Sequence, residues 1–429
     1  MIHLQEHKQA HIAPIEVFDD SQKLVLPLSQ HTGKPSKNVV QKDQLVNEGQ
    51  LIAEADGVIS ANLHAPCDAK VEAITDYNHP LLGQTTAIVL KPQVSQEKGQ
   101  INSASNMDYS ATDIVDAVKR AGIVGMGGAS FPTAVKLSPP KEVDTVIING
   151  CECEPYLACD YRLMLERSQQ ILDGIRLINT IIKPKQTIVA VEDNKQQAIH
   201  KLSALLNSYN QQQQVRVRLI KVKSRYPQGA EKQLIYRLIR RVVPSGGLPF
   251  DVGCLVNNVA TVIAVYQAFK YRRPLTRRVV TFSGDALAEP KNIELKIGTL
   301  ISDLFEQGAL RLRGELAKII HGGPMMGITL KGLDYPIIKG SSGVLFFSAH
   351  AGKNLPESSC IRCGRCVDVC PVNLMPLEYV KRVKAGEFES LEQIAVKDCI
   401  ECGSCSYVCP AKIPLVHYIK LGKNNLVKS

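Results

Sequence analysis

The chain has 429 residues, 45% of them hydrophobic, which is long enough for two to four domains with their own cores and too apolar for a disordered chain. Its 51 Lys and Arg against 41 Asp and Glu leave a formal charge of +10, a moderate excess that suits nucleotide phosphates, an acidic partner or an anionic membrane surface. The basic pairs Arg240/Arg241, Arg272/Arg273 and Arg277/Arg278 lack the interleaved aromatics of a single-strand binder, so they read as solvated faces and no nucleic-acid role is expected.

The opening MIHLQEHKQAHIAP has no apolar core behind a basic stretch, so no secretory leader is expected. The longest apolar stretch, VGCLVNNVATVIAVYQAF, is broken by Asn257 and Asn258 and falls short of the roughly 18 uninterrupted apolar residues of a spanning helix. Membrane attachment is therefore expected to go through partners. Thirteen cysteines, eight of them in two regular ladders, fit thiolate ligation in a reducing compartment, and the cytoplasm is the expected location.

In chain order, residues 13–92 show short apolar runs broken by turn residues (KLVLPL, GVISANLHAP, AKVEAI) and predict a small all-β module. The polar, aperiodic stretch 93–110 reads as a linker. From 111 to 275 strands and helices alternate: VDTVIING, then one amphipathic helix over DYRLMLERSQQILDGIRLINTII, the strand QTIVAVED, a helix over NKQQAIHKLSALLNSYN, and VRVRLIKV. That pattern predicts parallel βαβ units, in which ligands bind beyond the carboxyl ends of the strands. The ends that matter are 149–155, 192–194 and 224–229. Residues 276–350 suggest a compact α+β module, with RRVVTFSG and NIELKIG as strands and TLISDLFEQGAL as a short helix. From 355 to 422 the composition shifts abruptly to cysteine ladders separated by a helical spacer.

Each ladder is C-x-x-C-x-x-C-x-x-x-C-P: Cys360, Cys363, Cys366 and Cys370, then Cys399, Cys402, Cys405 and Cys409. Three thiolates at this spacing wrap one face of a 4Fe-4S cubane, and in two-cluster ferredoxins the fourth cysteine ligates the other cluster. Cys409 is accordingly expected to join Cys360, Cys363 and Cys366, and Cys370 to join Cys399, Cys402 and Cys405. Structural zinc has no use for the third cysteine of each ladder. The pair of clusters is a relay for single electrons.

A relay in a chain with a nucleotide-type α/β domain invites a two-electron donor and a flavin to split the pair. The candidate is AGIVGMGGASFPTAVKL, where Gly125 and Gly127 nearly satisfy a dinucleotide fingerprint but Ser130 takes the third glycine's place and a helix precedes. The ordinary fingerprint is rejected by that context. What remains is a glycine-rich loop whose amides can cradle a phosphate or lie against a flat ring, with Lys136 near it.

Read together, GMGGASFPTAVK, INGCECEP, RYPQGAEK and LVNNVAT resemble, in the same order, four segments of the flavin-bearing, NADH-oxidising subunit of respiratory complex I. With HTGKPSK, LHAPCDAKVEAI, RRVVTFSG, IHGGPMMG and the twin ladder, the whole chain resembles the C subunits of Rnf (Rsx) ion-translocating electron-transport complexes. The resemblance implies a multidomain α/β and α+β chain: a barrel-sandwich hybrid module, a complex I-like domain binding non-covalent FMN and NADH, a soluble-ligand-binding β-grasp module, and a helical two-cluster ferredoxin. It implies that Gly125, Gly127 and Gly128 lie along FMN with Lys136 close by, that Asn149 and Glu152 contact its ribityl or ring edge, and that Tyr226, Gly229, Asn257 and Asn258 line the remainder. Phe131 would stack on the nicotinamide nucleotide, and Glu154 and Glu231 would accept hydrogen bonds from it. Implied partners are NADH, a ferredoxin-type donor or acceptor, and other subunits of the complex, an iron-sulfur subunit and integral membrane subunits among them, at the cytoplasmic face of the bacterial inner membrane.

The chain departs from the complex I pattern at Met126, Cys151 and Ala230, which stand for an arginine, an aspartate and a glutamate. Two rival readings follow: a flavin-iron-sulfur subunit of a soluble NADH dehydrogenase or hydrogenase, and a cluster-bearing adaptor with a vestigial flavin site. Cys151, Cys153 and Cys159 follow no standard metal spacing and read as small buried thiols, and Cys67, Cys254, His64 and His321 read as core residues.

Overall fold

A computed structural model describes residues 1–93, 109–352 and 356–426. The linker expected over 93–110 lies almost wholly outside the described residues; its end, Ser110, caps the helix Ala111–Arg120 by accepting from Asp113 N while the Asp113 carboxylate accepts from Ser110 N.

The first module is a β sandwich. Leu24–Pro27, Gly83–Pro92, Ala69–His79 and Leu45–Val46 make one sheet, and Lys37–Asn38, Leu51–Glu54 and Leu63–His64 the other. The second is a four-stranded parallel sheet in the order Val217–Val222, Gln186–Glu192, Thr145–Gly150, Cys254–Asn258, as the βαβ alternation predicts. Its strands read as near-continuous apolar runs because helices cover both faces. The single helix expected after the first strand is instead two, Cys159–Glu166 and Ser168–Ile182. Arg167 leaves helical geometry at φ −123° and ψ 30°, and its guanidinium pairs with Glu294 of the neighbouring module. Tertiary contact overrides the local periodicity there.

The third module is a six-stranded mixed sheet with the helix Ile301–Glu306 against it. Its edge strand is Glu16–Phe18, which pairs in parallel with Lys291–Lys296, so a segment assigned by sequence to the first module completes the third. The first and second modules also share a core: Leu26, Ile52 and Leu90 belong to the same buried cluster as Ile114, Ile148 and Val262. The expectation of separate cores holds better for the ferredoxin end, where Leu374, Tyr379, Leu391 and Ile419 form a cluster of their own.

One side chain ties three modules at a point. Lys339 of the third module is 1% exposed, and its ammonium donates to the carbonyls of Asn62 (2.6 Å) in the first and Gly122 (2.7 Å) in the second. Gly122 has φ +63° and lies so close to Asn62 that a Cβ would fall 2.1 Å from the Asn62 oxygen, so no other residue fits. Burial pulls the Lys339 ammonium down to about 7. Replacing Lys339 with Met would leave the buried Gly122 carbonyl and the part-buried Asn62 carbonyl without this donor. We expect this to cost about 2–5 kcal/mol, read as a fall in the thermal midpoint of the transition that opens the module junction. An unchanged midpoint would show the clamp to be dispensable.

Candidate redox site

The carboxyl edge of the parallel sheet carries most of the residues that sequence singles out. Asn258, the last residue of its strand, pairs in register with Asn149, one residue before the end of the neighbouring strand. Asn149 Nδ2 donates to Gly229 O (2.9 Å) and its Oδ1 accepts from Cys151 N (3.0 Å), which fixes the amide between the INGCECEP and YPQGAE segments. Asn258 caps the helix Val259–Tyr271 by accepting from Ala260 N at 2.8 Å.

The glycine loop lies against this edge. Gly125 N donates to Phe131 O (2.8 Å), Thr133 N to Ile123 O (2.9 Å), and Met126 N to Thr261 Oγ1 (2.9 Å) on the helix behind. A Cβ on Gly127 would stand 3.0 Å from Asn258 Cβ, and Gly128 has φ +148°, so the close approach and the backbone turn both call for glycine. Gly127 and Gly128 are exposed, Phe131 is half-buried, and Lys136 pairs with Glu231 at 2.8 Å. Both members of that pair keep solvent contact, so it contributes little stability and is free to be exchanged for a ligand.

Four of the expected site residues are more enclosed. Glu152 is 6% exposed; its carboxylate accepts from Asp160 N (3.0 Å) and the Cys159 thiol (3.4 Å) and stands 4.0 Å from the Lys8 ammonium. The Glu154 carboxylate accepts from Met325 N (3.1 Å) and Met326 N (3.0 Å), and burial pushes it up to about 7. Tyr226 is buried and its hydroxyl donates to the Cys402 carbonyl at 2.6 Å. Asn257 is buried with Nδ2 unpartnered, as is Nε2 of the buried Gln228. A buried amide donor left alone costs about 1–3 kcal/mol, so two of them on the NNVAT and YPQGAE segments suit a ligand rich in acceptor oxygens and ring nitrogens, as a flavin is.

Sequence reading missed the N-terminal arm. Ile2 pairs with Tyr226, His7 N donates to Pro155 O, Glu6 bonds Asn194 and Ser224, and the buried Lys8 ammonium donates to the carbonyls of Glu152, Glu154 and Leu157. All three strand ends are thereby strapped. Nothing in MIHLQEHKQAHIAP carries a periodic or turn signal for this, because the arm's bonds are to distant backbone. Of the three clustered cysteines, Cys151 and Cys159 are buried thiols, as expected, whereas Cys153 is only half-buried.

The ladders repeat in backbone as in sequence. Positive φ recurs at Arg362 and Glu401, at Gly364 and Gly403, and at Asn373 and Lys412, each pair at the same place in its ladder. Arg362 N donates to Cys360 Sγ (3.3 Å), Leu374 N to Cys370 Sγ (3.2 Å) and Glu401 N to Cys399 Sγ (3.4 Å), the amide-to-sulfur bonds that stabilise ligating thiolates. Cys370 lines one cavity together with Cys399, Cys402 and Cys405, walled by Leu374 and Tyr379. Cys366 is pushed up by burial and by the neighbouring charge of Cys409. Four thiols around one apolar cavity fit a 4Fe-4S cluster, and Cys370 lies on the side that the crossed grouping requires. Cys409→Ser should therefore lower the iron signal of the cluster held by Cys360, Cys363 and Cys366, and Cys370→Ser that of the other, both followed by iron content and electron paramagnetic resonance. The reverse pattern would place each fourth cysteine in its own ladder.

Three family models match: the RnfC barrel-sandwich hybrid domain over residues 2–95, the Nuo51 FMN-binding domain over 118–267 and a 4Fe-4S dicluster domain over 359–413. The chain is 45% identical over 367 residues to the C subunit of the proton-translocating ferredoxin:NAD(+) oxidoreductase complex of Clostridium ljungdahlii, with 85% of this chain and 79% of that one covered. It is 38% identical over 401 residues to the C subunit of the ion-translocating oxidoreductase complex of Rhodobacter capsulatus (92% and 76% covered). The corresponding subunit of the Na(+)-translocating ferredoxin:NAD(+) oxidoreductase complex of Acetobacterium woodii is 37% identical over 378 residues (86% and 84%). Among solved structures, an NAD+-reducing [NiFe]-hydrogenase in its air-oxidized state shares the fold at TM-score 0.52 and 19% identity, over 72% of this chain and 63% of that one. A parallel-sheet domain with a glycine loop over its carboxyl edge, joined to a pair of cysteine ladders, thus belongs to the family of C subunits of ion-translocating oxidoreductase complexes.

Proposed function

We propose that this chain is the peripheral electron-input subunit of a membrane-bound ion-translocating oxidoreductase complex. It passes electrons between NAD(H) and ferredoxin or downstream redox subunits by way of FMN and two 4Fe-4S clusters. The observation that carries this reading is the direct contact between the carboxyl edge of the parallel sheet under the glycine loop, here taken as the flavin cleft, and the ladder. Tyr226, on the YPQGAE loop at that edge, donates to Cys402 O, and Gln233 of the following helix donates to Pro371 O at 2.9 Å. The cluster cavity of Cys370, Cys399, Cys402 and Cys405 is therefore the one next to the cleft. Cys360 and Cys363 of the first ladder are exposed, which makes their cluster the exit toward a partner.

A bound flavin would supply the conversion between two-electron hydride chemistry and single-electron transfer, and bound clusters would supply the single-electron relay. The protein's part is placement. Hydride transfer needs stacking geometry and not a side-chain acid, so no catalytic triad is required. Gly125, Gly127 and Gly128 would hold the flavin with Lys136 beside it; Asn149, Gly229, Asn257 and Asn258 would line the remainder of its site. Phe131 stacks on the nicotinamide nucleotide. Glu231 accepts from that nucleotide by giving up Lys136, whereas Glu154 reaches it only by releasing the amides of Met325 and Met326. Glu152 acts from behind the site and Tyr226 at its junction with the ladder.

No helix among the described residues is long and apolar enough to cross a membrane. Attachment at the cytoplasmic face of the inner membrane would go through integral membrane subunits, which would also hold the ion path, and an iron-sulfur subunit would meet the exposed end of the first ladder.

Anaerobically purified protein should hold about eight iron and one FMN, all bleaching on NADH titration. Eight iron with no flavin and no response to NADH would instead leave an adaptor whose electrons come from elsewhere. Lys136→Ala should lose most of its FMN while keeping its iron, and equal loss of both would argue against separate sites. Tyr226→Phe should leave NADH bleaching of the flavin intact and slow that of the clusters several-fold; unchanged cluster kinetics would remove the junction from the path.

A further inference from the structure

A dense set of charges stands directly behind Asn258. Asp160, in the first turn of the helix Cys159–Glu166, retains some exposure and accepts from Asn258 Nδ2 at 2.6 Å. An amide nitrogen carries two hydrogens, so Asn258 can hold Asp160 with one and a ligand with the other. Its oxygen is already committed to Ala260 N.

Four parts of the chain bring a titratable or charged group to Asp160. Glu152 and Cys151 come from the loop after Thr145–Gly150, Cys159 from the same helix, Arg278 from the strand Arg277–Ser283, and Lys8 from the N-terminal arm. Ligand atoms of Glu152, Cys159 and Asp160 lie within 4.8 Å of one another. With the Lys8 and Arg278 cations alongside, this is a poor place for a metal ion and a good one for a proton. Arg278 is 3% exposed, sets Nη1 3.0 Å from Met126 Sδ in the glycine loop, and leaves Nη2 unpartnered. Burial first, and Glu152 next, push the Asp160 carboxyl up to about 7, while the Asn258 donor and Arg278 hold it down. A group so balanced changes its proton occupancy when one charge is added nearby.

We propose that Asp160 is a positioning residue that binds one proton from solvent when the cleft is reduced and returns it when the electrons leave for the clusters. The proposal rests on the reading of the cleft as the flavin site. The balance is simple. A hydride brings two electrons and one proton and leaves the site one unit more negative. The Asp160 carboxylate then takes up one proton, forming a single O–H bond and restoring the charge. Asn258 links the two, because the carboxylate that orients its amide is the one whose charge changes.

The test is the pH dependence of the two-electron midpoint potential of the bound FMN over roughly the pH unit above 7. For a two-electron couple each proton contributes about 30 mV per pH unit. The wild type should fall by about 60 mV, for two protons, and Asp160→Asn by about 30 mV, for one, with Asp160→Glu restoring the steeper slope. A wild type with the one-proton slope, or an Asp160→Asn variant that keeps the two-proton slope, would overturn the proposal. Should Asp160→Asn fail to retain flavin, redox-difference infrared spectra of the wild type decide: a protonated-carboxyl band must appear on reduction, and its absence sinks the idea. Wild-type protein that binds no FMN would overturn the flavin reading itself, a result distinct from a flavin with the shallower slope.

Discussion

The hydrogen bond from Tyr226 to the Cys402 carbonyl is the contact on which the arrangement turns. It joins the YPQGAE loop, at the carboxyl edge of the parallel sheet, to the backbone of a cysteine ladder, and so brings the two binding domains into direct contact. The rest of the architecture serves that junction. Ile2 pairs with the Tyr226 backbone from one side, and Met325 packs on Gly403 so tightly that a Cβ there would stand 2.6 Å from its carbonyl. Glu154 in turn holds the Met325 and Met326 amides. The third module thus reaches the ladder through HGGPMMG, and the cleft reaches it through YPQGAE.

Two buried ammonium groups make this body rigid in a similar way. Lys8 and Lys339 each spend their donors on main-chain carbonyls from other parts of the chain, Lys8 on three around the INGCECEP turn and Lys339 on one in each neighbouring module. A lysine is suited to this because it offers three donors and no acceptor, so it satisfies carbonyls that no sheet or helix reaches. The gain is precision where it matters for electron transfer: relative placement of the cleft and the ladders is set by packing and not by the stretch of chain between modules.

Much of this was legible in the sequence where chemistry or periodicity is local. The ladders were readable because a cubane dictates thiolate spacing, and the same rule led to the expectation that Cys370 sits with Cys399, Cys402 and Cys405, whose cavity it shares. The parallel strands were readable from their apolar runs. The site was readable chiefly through resemblance: Asn149, Gly127 and Asn258 do converge at one edge, yet no spacing rule predicts that. What escaped is non-local. Glu16–Phe18 looks like any strand of the first module until Lys291–Lys296 is beside it, Arg167 breaks a periodic helix for a partner more than a hundred residues away, and Lys8 lies in an arm without pattern. Asp160 went unremarked, and Arg278, expected with Arg277 on a solvated face, is buried at 3% exposure, because the meaning of both comes only from what surrounds them.

The central claim is the order of the relay, with the cluster of Cys370, Cys399, Cys402 and Cys405 first in line from the cleft. Rapid mixing of the anaerobic protein with NADH, freeze-quenched and read by electron paramagnetic resonance, tests it most directly, each cluster's signal being assigned beforehand. The account predicts that the signal of this cluster rises first and that of the Cys360, Cys363 and Cys366 cluster follows. Reduction of the exposed cluster ahead of its neighbour would contradict it.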